Sequence, residues 1–408
     1  MTKSCLGVFL AVAMLGCSSD APPGAAVTKD VTLPNSPLTR LPKVSLIRAG
    51  GSFILAGFDG VTVHWGHITP DGVLSEEVGF APPQPVVVEP VFGATTKTTP
   101  GDQLIAIVVT ASAKPDFAYD VSAIVQTSGA TAAAAPVVLD SLPLGTDKAA
   151  VQIAAGAATT GNVGFAAWGV RVRGRSPSYL LLPADAVTTA TPSKIFDDSN
   201  PNNVPNWDCL ATTSGTTGLG FSVVAPDALY PQTSDFYTTE VDEAGGAASM
   251  SYQFTVTVAD CHVVASPGPS GTYVLALETS NAIDFAMYYP PVDPKTQNGS
   301  VTTIDPVLSA SGFGDPLNMP SPAWASPAGG GDISIGLTRT AGPQVFRYTY
   351  NAIPHGAPLT LRSEKGQTGP VASWVGPDAV YVTYTDQSKA TPSVAKRYFM
   401  RLESPTLP

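Results

Sequence analysis

The sequence runs to 408 residues, of which 38 are Gly and 39 are Pro, while only 13% are charged; soluble domains average roughly 25%. Long helices need Glu, Lys, Arg, Leu and Ala with few breakers, which excludes helical bundles, coiled coils and solenoids of helix pairs. An apolar content of 44% excludes disorder, and a formal charge of −11, with 21 basic against 32 acidic residues, leaves too few clustered cations for a nucleic-acid partner.

The chain begins MTKSCLGVFLAVAMLGCSSD. Behind Lys3 the apolar run from Leu6 to Leu15 has the length of a secretory h-region. It falls short of the roughly 20 residues that a membrane-spanning helix needs. The segment Met14-Leu15-Gly16-Cys17 resembles the lipobox of bacterial lipoproteins, with Met in place of the usual Leu at the first position. The resemblance implies removal of residues 1–16 and a new N-terminus at Cys17, which carries a diacylglyceryl thioether and an acylated amine. Such chains anchor stably, since each buried methylene contributes roughly 0.8 kcal/mol. Ser18 stands where an Asp in that family favours inner-membrane retention, so the implied address is the bacterial envelope, at the outer membrane rather than the inner. The alternative is an ordinary secretory signal that happens to contain a Cys. Residues 17–29, rich in Ala, Pro, Gly and Ser, read as a lipidated start and flexible tether. Residues 30–408 read as one domain. Loss of residues 1–16 removes Lys3 and no acid, so the formal charge moves from −11 to −12.

From there the chain shows short apolar runs separated by Gly, Pro, Asp-Gly and Ser/Thr clusters, the pattern of many short strands. A turn residue followed by a seven-to-nine-residue apolar strand recurs, with starts at 51, 102, 161, 218, 271, 331 and 378. Each copy follows a run of small and apolar residues, such as Val44–Ala49 or Val151–Ala157. Each precedes a third strand, such as Val61–Ile68 or Ser178–Pro183, and most have a fourth, such as Pro136–Leu142. Four antiparallel strands in roughly 50 residues is the size of a propeller blade. The last unit supplies only three strands, and Val27–Leu33 is a spare strand at the other end that can close it. The expectation is an all-β fold, a single β-propeller of seven four-stranded blades with the N-terminal strand completing the last. It resembles the architecture and no named propeller family, since Trp-Asp repeats, Kelch double-Gly patterns and sialidase-type boxes are absent. The rival is two or three β-sandwich domains.

Chemistry is sparsely signalled. After the signal segment, Cys209 and Cys261 occupy the same slot of successive units, and in an oxidising envelope they are expected to pair. His64 and His67 are three apart, which on a strand directs them to opposite faces, so no metal site is expected, and no cofactor. The segment 197–203 (DDSNPNN) holds hard oxygen ligands, but its spacing fits no calcium loop and reads as an Asx-rich connection. No Gly-x-Ser-x-Gly elbow or phosphate-binding loop is present. Asp208, Asp260 and Glu89 are the carboxylates that could meet at a channel mouth for glycoside chemistry.

Arg171, Arg173 and Arg175 alternate, so on an extended strand they share one face and could hold carboxylate or sulfate. Trp207, in a polar loop beside Asp208, reads as an exposed stacking platform for a sugar. The resulting expectation is a lipid-anchored, monomeric, non-enzymatic propeller that binds a protein or glycan partner. The alternatives are a polysaccharide-active enzyme and a passive structural lipoprotein.

Overall fold

The computed structural model describes most residues from 27 to 196, apart from 42, 50, 77–78, 96–101, 131–133, 158–162, 173 and 184–190; beyond 196 it describes chiefly the strand backbones. The signal segment and Cys17 lie outside the described residues. The first strand, β1 (Val27–Thr32), starts three residues before the expected domain boundary. A single helical turn, α1 (Pro37–Arg40), follows it, capped by Ser36, whose hydroxyl accepts from the Thr39 N–H at 3.2 Å.

Apart from the short turn Lys148–Ala150, the other described elements are strands. Sheet I holds β2 (Ser45–Ala49), β3 (Ser52–Phe58), β4 (Val63–Ile68) and β5 (Leu74–Glu76). Sheet II holds β6 (Val86–Thr95), β7 (Gln103–Ala111), β8 (Phe117–Thr127) and β9 (Val137–Pro143). Sheet III holds β10 (Val151–Ala157), β11 (Val163–Val170), β12 (Ser178–Pro183) and β13 (Ser193–Lys194). Sheet IV holds β14 (Cys209–Ser214), β15 (Leu219–Pro226), β16 (Ser234–Val241) and β17 (Ala247–Phe254).

Sheet V holds β18 (Asp260–Ala265), β19 (Tyr273–Glu278), β20 (Ile283–Tyr289) and β21 (Ser300–Thr303). Sheet VI holds β22 (Ser321–Ala325), β23 (Asp332–Arg339), β24 (Gly342–Thr349) and β25 (Leu359–Thr360). Sheet VII joins β26 (Gln367–Thr368), β27 (Ala372–Val375), β28 (Ala379–Gln387) and β29 (Lys396–Glu403) to β1 from the other end of the chain. Every described ladder is antiparallel, and β1 runs along β29 with Asp30 opposite Met400 and Thr32 opposite Tyr398.

The seven recurrent sequence starts all fall one or two residues before the second strand of a sheet. The reason is burial on both faces. In β7 all eight residues from Gln103 to Thr110 are buried, so the strand reads as a continuous apolar run rather than an alternation. The pleat still sorts them. Leu104, Ala106 and Val108 pack with Ile54, Ala56 and Trp65 of sheet I, whereas Ile105, Ile107 and Val109 pack with Ala166, Trp168 and Val170 of sheet III. A third cluster joins Phe165 of sheet III to Leu210 of sheet IV. A fourth joins Phe53 and Leu55 of sheet I to Tyr381 and Phe399 of sheet VII. The cores therefore lie between sheets.

First strands carry small residues because they meet one another. Contacts run β2 to β6, β6 to β10, β10 to β14, β14 to β18, β18 to β22, β22 to β27 and β27 to β2. At one such meeting a Cβ on Gly93 of β6 would collide with the backbone carbonyl of Gly156 in β10.

Arg397 fastens the start of the chain to its end. Its side chain is buried, Nη2 donates to the Leu41 carbonyl, and Nη1 reaches Thr383 Oγ1 at 3.5 Å. Burial away from water lowers its pKa to about 9. The unfolded chain, with its ordinary arginine value, therefore holds more protons above pH 9, so the cost of burying the cation is complete below that value and is relieved as pH rises above it. Relative to Arg397→Met, the natural protein is expected to gain stability between pH 7.5 and 10.5. Denaturant melts of both proteins at the two pH values check this, and a constant difference would contradict it.

Candidate functional site

The loops that leave β7, β9 and β11 meet where sheets II and III adjoin. Asp147 caps the short turn Lys148–Ala150 by accepting from the Ala149 N–H at 3.0 Å. That turn receives the β11–β12 loop: the Arg171 N–H donates to the Ala150 carbonyl at 2.8 Å, and Arg171 Nη2 donates to the Ala149 carbonyl at 2.8 Å. The β9–β10 link reaches the β7–β8 loop through the Leu144 N–H, which donates to the Asp116 carbonyl at 3.4 Å.

Two carboxylates organise the polar side chains here. Asp120 accepts from Ser112 Oγ at 3.0 Å and Ser141 Oγ at 2.6 Å, with Lys114 Nζ at 3.9 Å. Lys114 in turn donates to Ser141 Oγ at 2.9 Å and lies over the Phe117 ring at 5.6 Å. One residue along β9, Asp140 accepts from Trp168 Nε1 at 3.1 Å and the Ser141 N–H at 2.8 Å, and it faces Arg175 Nη2 at 3.8 Å. A polar path thus runs from Lys114 through Asp120, Ser141 and Asp140 to Arg175. Beside it Leu144 and Val172 are 65% and 53% exposed. Cations, fixed carboxylates and exposed aliphatic groups side by side suit recognition of a ligand with both polar and apolar parts.

The expected Arg face is altered. β11 ends at Val170, so Arg171 and Arg175 stand on a turn rather than an extended strand. Gly174 supplies the positive φ of 75° that the turn needs. The structure brings Arg171 and Arg175 to one loop, while Arg173 lies outside the described residues.

Trp207 is a correction: it is 3% exposed, not a surface platform. Its indole fills the space over Gly169, where a Cβ would come within 2.9 Å of the ring, and Nε1 donates to the Arg175 carbonyl at 3.0 Å. It therefore supports the Arg loop from beneath. Asp208 is outside the described residues. Cys209 opens β14, while Asp260 and Cys261 open β18, and their side chains are likewise undescribed. Glu89 pairs with Lys43 at 3.0 Å on the surface.

The two histidines meet different acids. His64 Nε2 lies 2.8 Å from Asp59 Oδ2, and His67 Nε2 lies 3.5 Å from Asp102 Oδ2, which Ser52 Oγ also approaches at 3.5 Å. At Asp59, burial raises the pKa. The Thr62 N–H, His64 and the Val61 N–H outweigh it, and the net direction is downward. That favourable contribution is present above the ordinary carboxylate value and is lost as pH falls through the lowered one. Among the described residues no group of three or more His, Cys, Asp or Glu could hold a metal ion, and no helix is long and apolar enough to cross a membrane.

No family model matches the chain, and no curated protein is similar to it. Among solved structures, the Dos1 propeller is 11% identical with a TM-score of 0.48, over 88% of this chain and 78% of that one. The lectin of Aleuria aurantia is 12% identical with a TM-score of 0.43, over 78% of this chain and 94% of that one. A puromycin-hydrolyzing peptidase of Mycobacterium tuberculosis is 12% identical with a TM-score of 0.49, over 94% of this chain and 57% of that one. None of these likenesses transfers an activity to this chain.

Proposed function

We propose that this protein is a lipid-anchored, seven-bladed propeller that binds a protein or glycan partner through the loops of sheets II and III, without catalysis. The observation that carries the binding role is the grouping of Arg171, Arg175 and Lys114 with exposed Leu144 and Val172. The cations are held by backbone and carboxylate contacts, which reduces the entropy lost on binding. The contacts from β2 round to β27 and back to β2, with β1 as outer strand of sheet VII, support seven blades in a closed ring. Anchoring through Cys17 rests on the lipobox resemblance, and the outer-membrane address on Ser18 standing where Asp would favour the inner membrane.

Binding of the soluble form lacking residues 1–17 to a glycan array, and to envelope extracts, tests the role. The double variant Arg171→Ala/Arg175→Ala is expected to weaken any ligand found by about tenfold or more, since each charge-assisted contact contributes roughly 1.5–3 kcal/mol. Unchanged affinity would move the site elsewhere.

We also propose a disulfide between Cys209 and Cys261, which the contact of β14 with β18 favours. Thiol alkylation of the denatured, unreduced protein is expected to add no label at either position. Two labelled residues would rule the bond out.

A further inference from the structure

The loops of sheets II and III are electrically polarised, and the polarity points to a partner. We infer that they dock against the same loops of a second copy of this chain, about a two-fold axis beside Leu144. This rests on the loop-site reading above, and it replaces the monomer expected from the sequence with a reversible dimer.

Charge is the first support. On the sheet II side Asp116, Asp120 and Asp140 stand against Lys114, whereas residues 171–177 of the β11–β12 turn bear arginines and no acid. Asp147 and Lys148 offset each other in the link between the two sides. A negative half and a positive half therefore adjoin on one surface. A two-fold axis through the β9–β10 link reverses that order in the second copy. Sheet II of one copy then lies over sheet III of the other, and unlike halves meet. Asp120 and Asp140 face groups of their own chain, but Asp116 and Arg171 are both exposed. They flank the link from opposite sides: the Leu144 N–H donates to the Asp116 carbonyl, and Arg171 donates to Ala149 and Ala150. The axis pairs Asp116 of one copy with Arg171 of the other, twice. The formal charge of −11 otherwise drives copies apart, so a matched face of this kind is where they can meet.

Apolar surface is the second support. Leu144 and Val172 are 65% and 53% exposed, and Pro115 and Pro143 beside them are exposed as well. Exposed ion pairs bind weakly, so burial of these groups supplies the affinity and the charges supply the register. The large apolar side chains exposed among the described residues are all Val or Leu, while Trp65, Trp168 and Trp207 are buried. Such a surface fits a protein better than a sugar ring, which aromatic faces receive. The third support is rigidity. The Asp147 cap, the two Arg171 contacts and the Arg175 N–H donating to the Val172 carbonyl at 3.1 Å hold the loops in place before docking.

Sedimentation equilibrium of the chain from Ser18 to Pro408, which keeps every described residue, tests the docking. A dimer with a dissociation constant on the order of 10–100 µM is expected, since a contact made by a few loops belongs to the small, transient class. Salt at about 0.5 M is expected to weaken it, and Leu144→Asp/Val172→Asp to weaken it at least about tenfold. Val73→Asp is the control. Val73 is 61% exposed but follows β4, whose His67 meets Asp102 at the start of β7, so it lies on the opposite face. Asp116→Arg and Arg171→Asp are each expected to weaken the dimer, and both together in one chain to restore it, which local damage at either position would not allow. A chain that stays monomeric to about 300 µM, a dimer indifferent to the loop substitutions, or a charge exchange that does not restore it overturns the inference. The loop-site reading fails separately. A monomer that binds a glycan, and loses it in Arg171→Ala/Arg175→Ala, overturns the self-docking and keeps the site. A ligand indifferent to that variant, together with no loop-dependent dimer, overturns both.

Discussion

A chain that begins at Leu33, with β1 removed, is expected to melt at least about 4 °C below one that begins at Ser18, and to aggregate on warming. The deletion takes away five paired positions along β29. Net ladder hydrogen bonds contribute about 0.5–1.5 kcal/mol each, and half-buried Val31, whose side chain lies beside the turn at Gly72, adds about half of the roughly 1.5–3 kcal/mol of full burial. Together these reach about 3–9 kcal/mol, a large share of the 5–15 kcal/mol that typically separates folded from unfolded protein. The loss also exposes the edge of β29, a template for pairing between chains. Calorimetry and light scattering on the two forms check the result. A melting temperature within about 1 °C of the longer form, at roughly one degree per kcal/mol for a chain of this length, would mean that β1 does not complete sheet VII in solution.

The substitution Gly93→Val is expected to cost about 3 kcal/mol or more, through overpacking that neither backbone can relieve. Valine favours strands over glycine by up to roughly 1 kcal/mol, so propensity alone predicts the opposite sign. The cost arises because the Cβ would fall on the Gly156 carbonyl of the neighbouring sheet, and both chains are fixed by ladders on their far sides. Gly51→Ala is the control, since no atom lies within 4 Å of its Cβ position, and it is expected to change stability by less than about 0.5 kcal/mol. Denaturant midpoints for the two variants distinguish a close approach of first strands from a general intolerance of glycine replacement.

The strands that announced themselves in the sequence are those whose environment leaves no choice of residue. β11 is apolar throughout, and β7 from Leu104 to Val109, because sheets cover both faces. First strands such as β10 are small because they meet near the middle. Outer strands gave weaker signals: β13 is only Ser193–Lys194, and both residues are exposed, so neither pleat nor burial constrains their type. The pairing of β1 with the last strand was legible because the final unit lacked a strand.

The candidate site was less legible, because its contacts join residues far apart in the chain. Trp168 finds Asp140 across 28 positions, and His67 finds Asp102 across a sheet boundary. Only the repeat register could have hinted at the latter pair, since Asp102 stands in the slot that Gly51 fills in the first unit. Trp207 was misplaced for a related reason. Its neighbours Asn206 and Asp208 are polar, but the absent side chain at Gly169, in another sheet, opens the hole that its ring fills. Local polarity describes the loop and not the partner.

The alternation of Arg171, Arg173 and Arg175 drew attention to the right loop on a mistaken geometry. A turn stabilised by the Arg175 N–H donating to the Val172 carbonyl at 3.1 Å replaces the strand. Arg171 and Arg175 therefore stand on a turn and not on one strand face, while Arg173 lies outside the described residues. What remains is a rim of mixed polarity around Val172.

Closure of one ring by strands from both ends of the chain is the claim on which the seven-bladed reading and the stability prediction for β1 depend. Amide hydrogen exchange of residues 28–32 in the intact protein tests it most directly. The account predicts that amides of β1 paired with β29 exchange slowly and are released together with those of β28. Exchange of residues 28–32 at the rate of an unstructured peptide, while β28 stays protected, would contradict it.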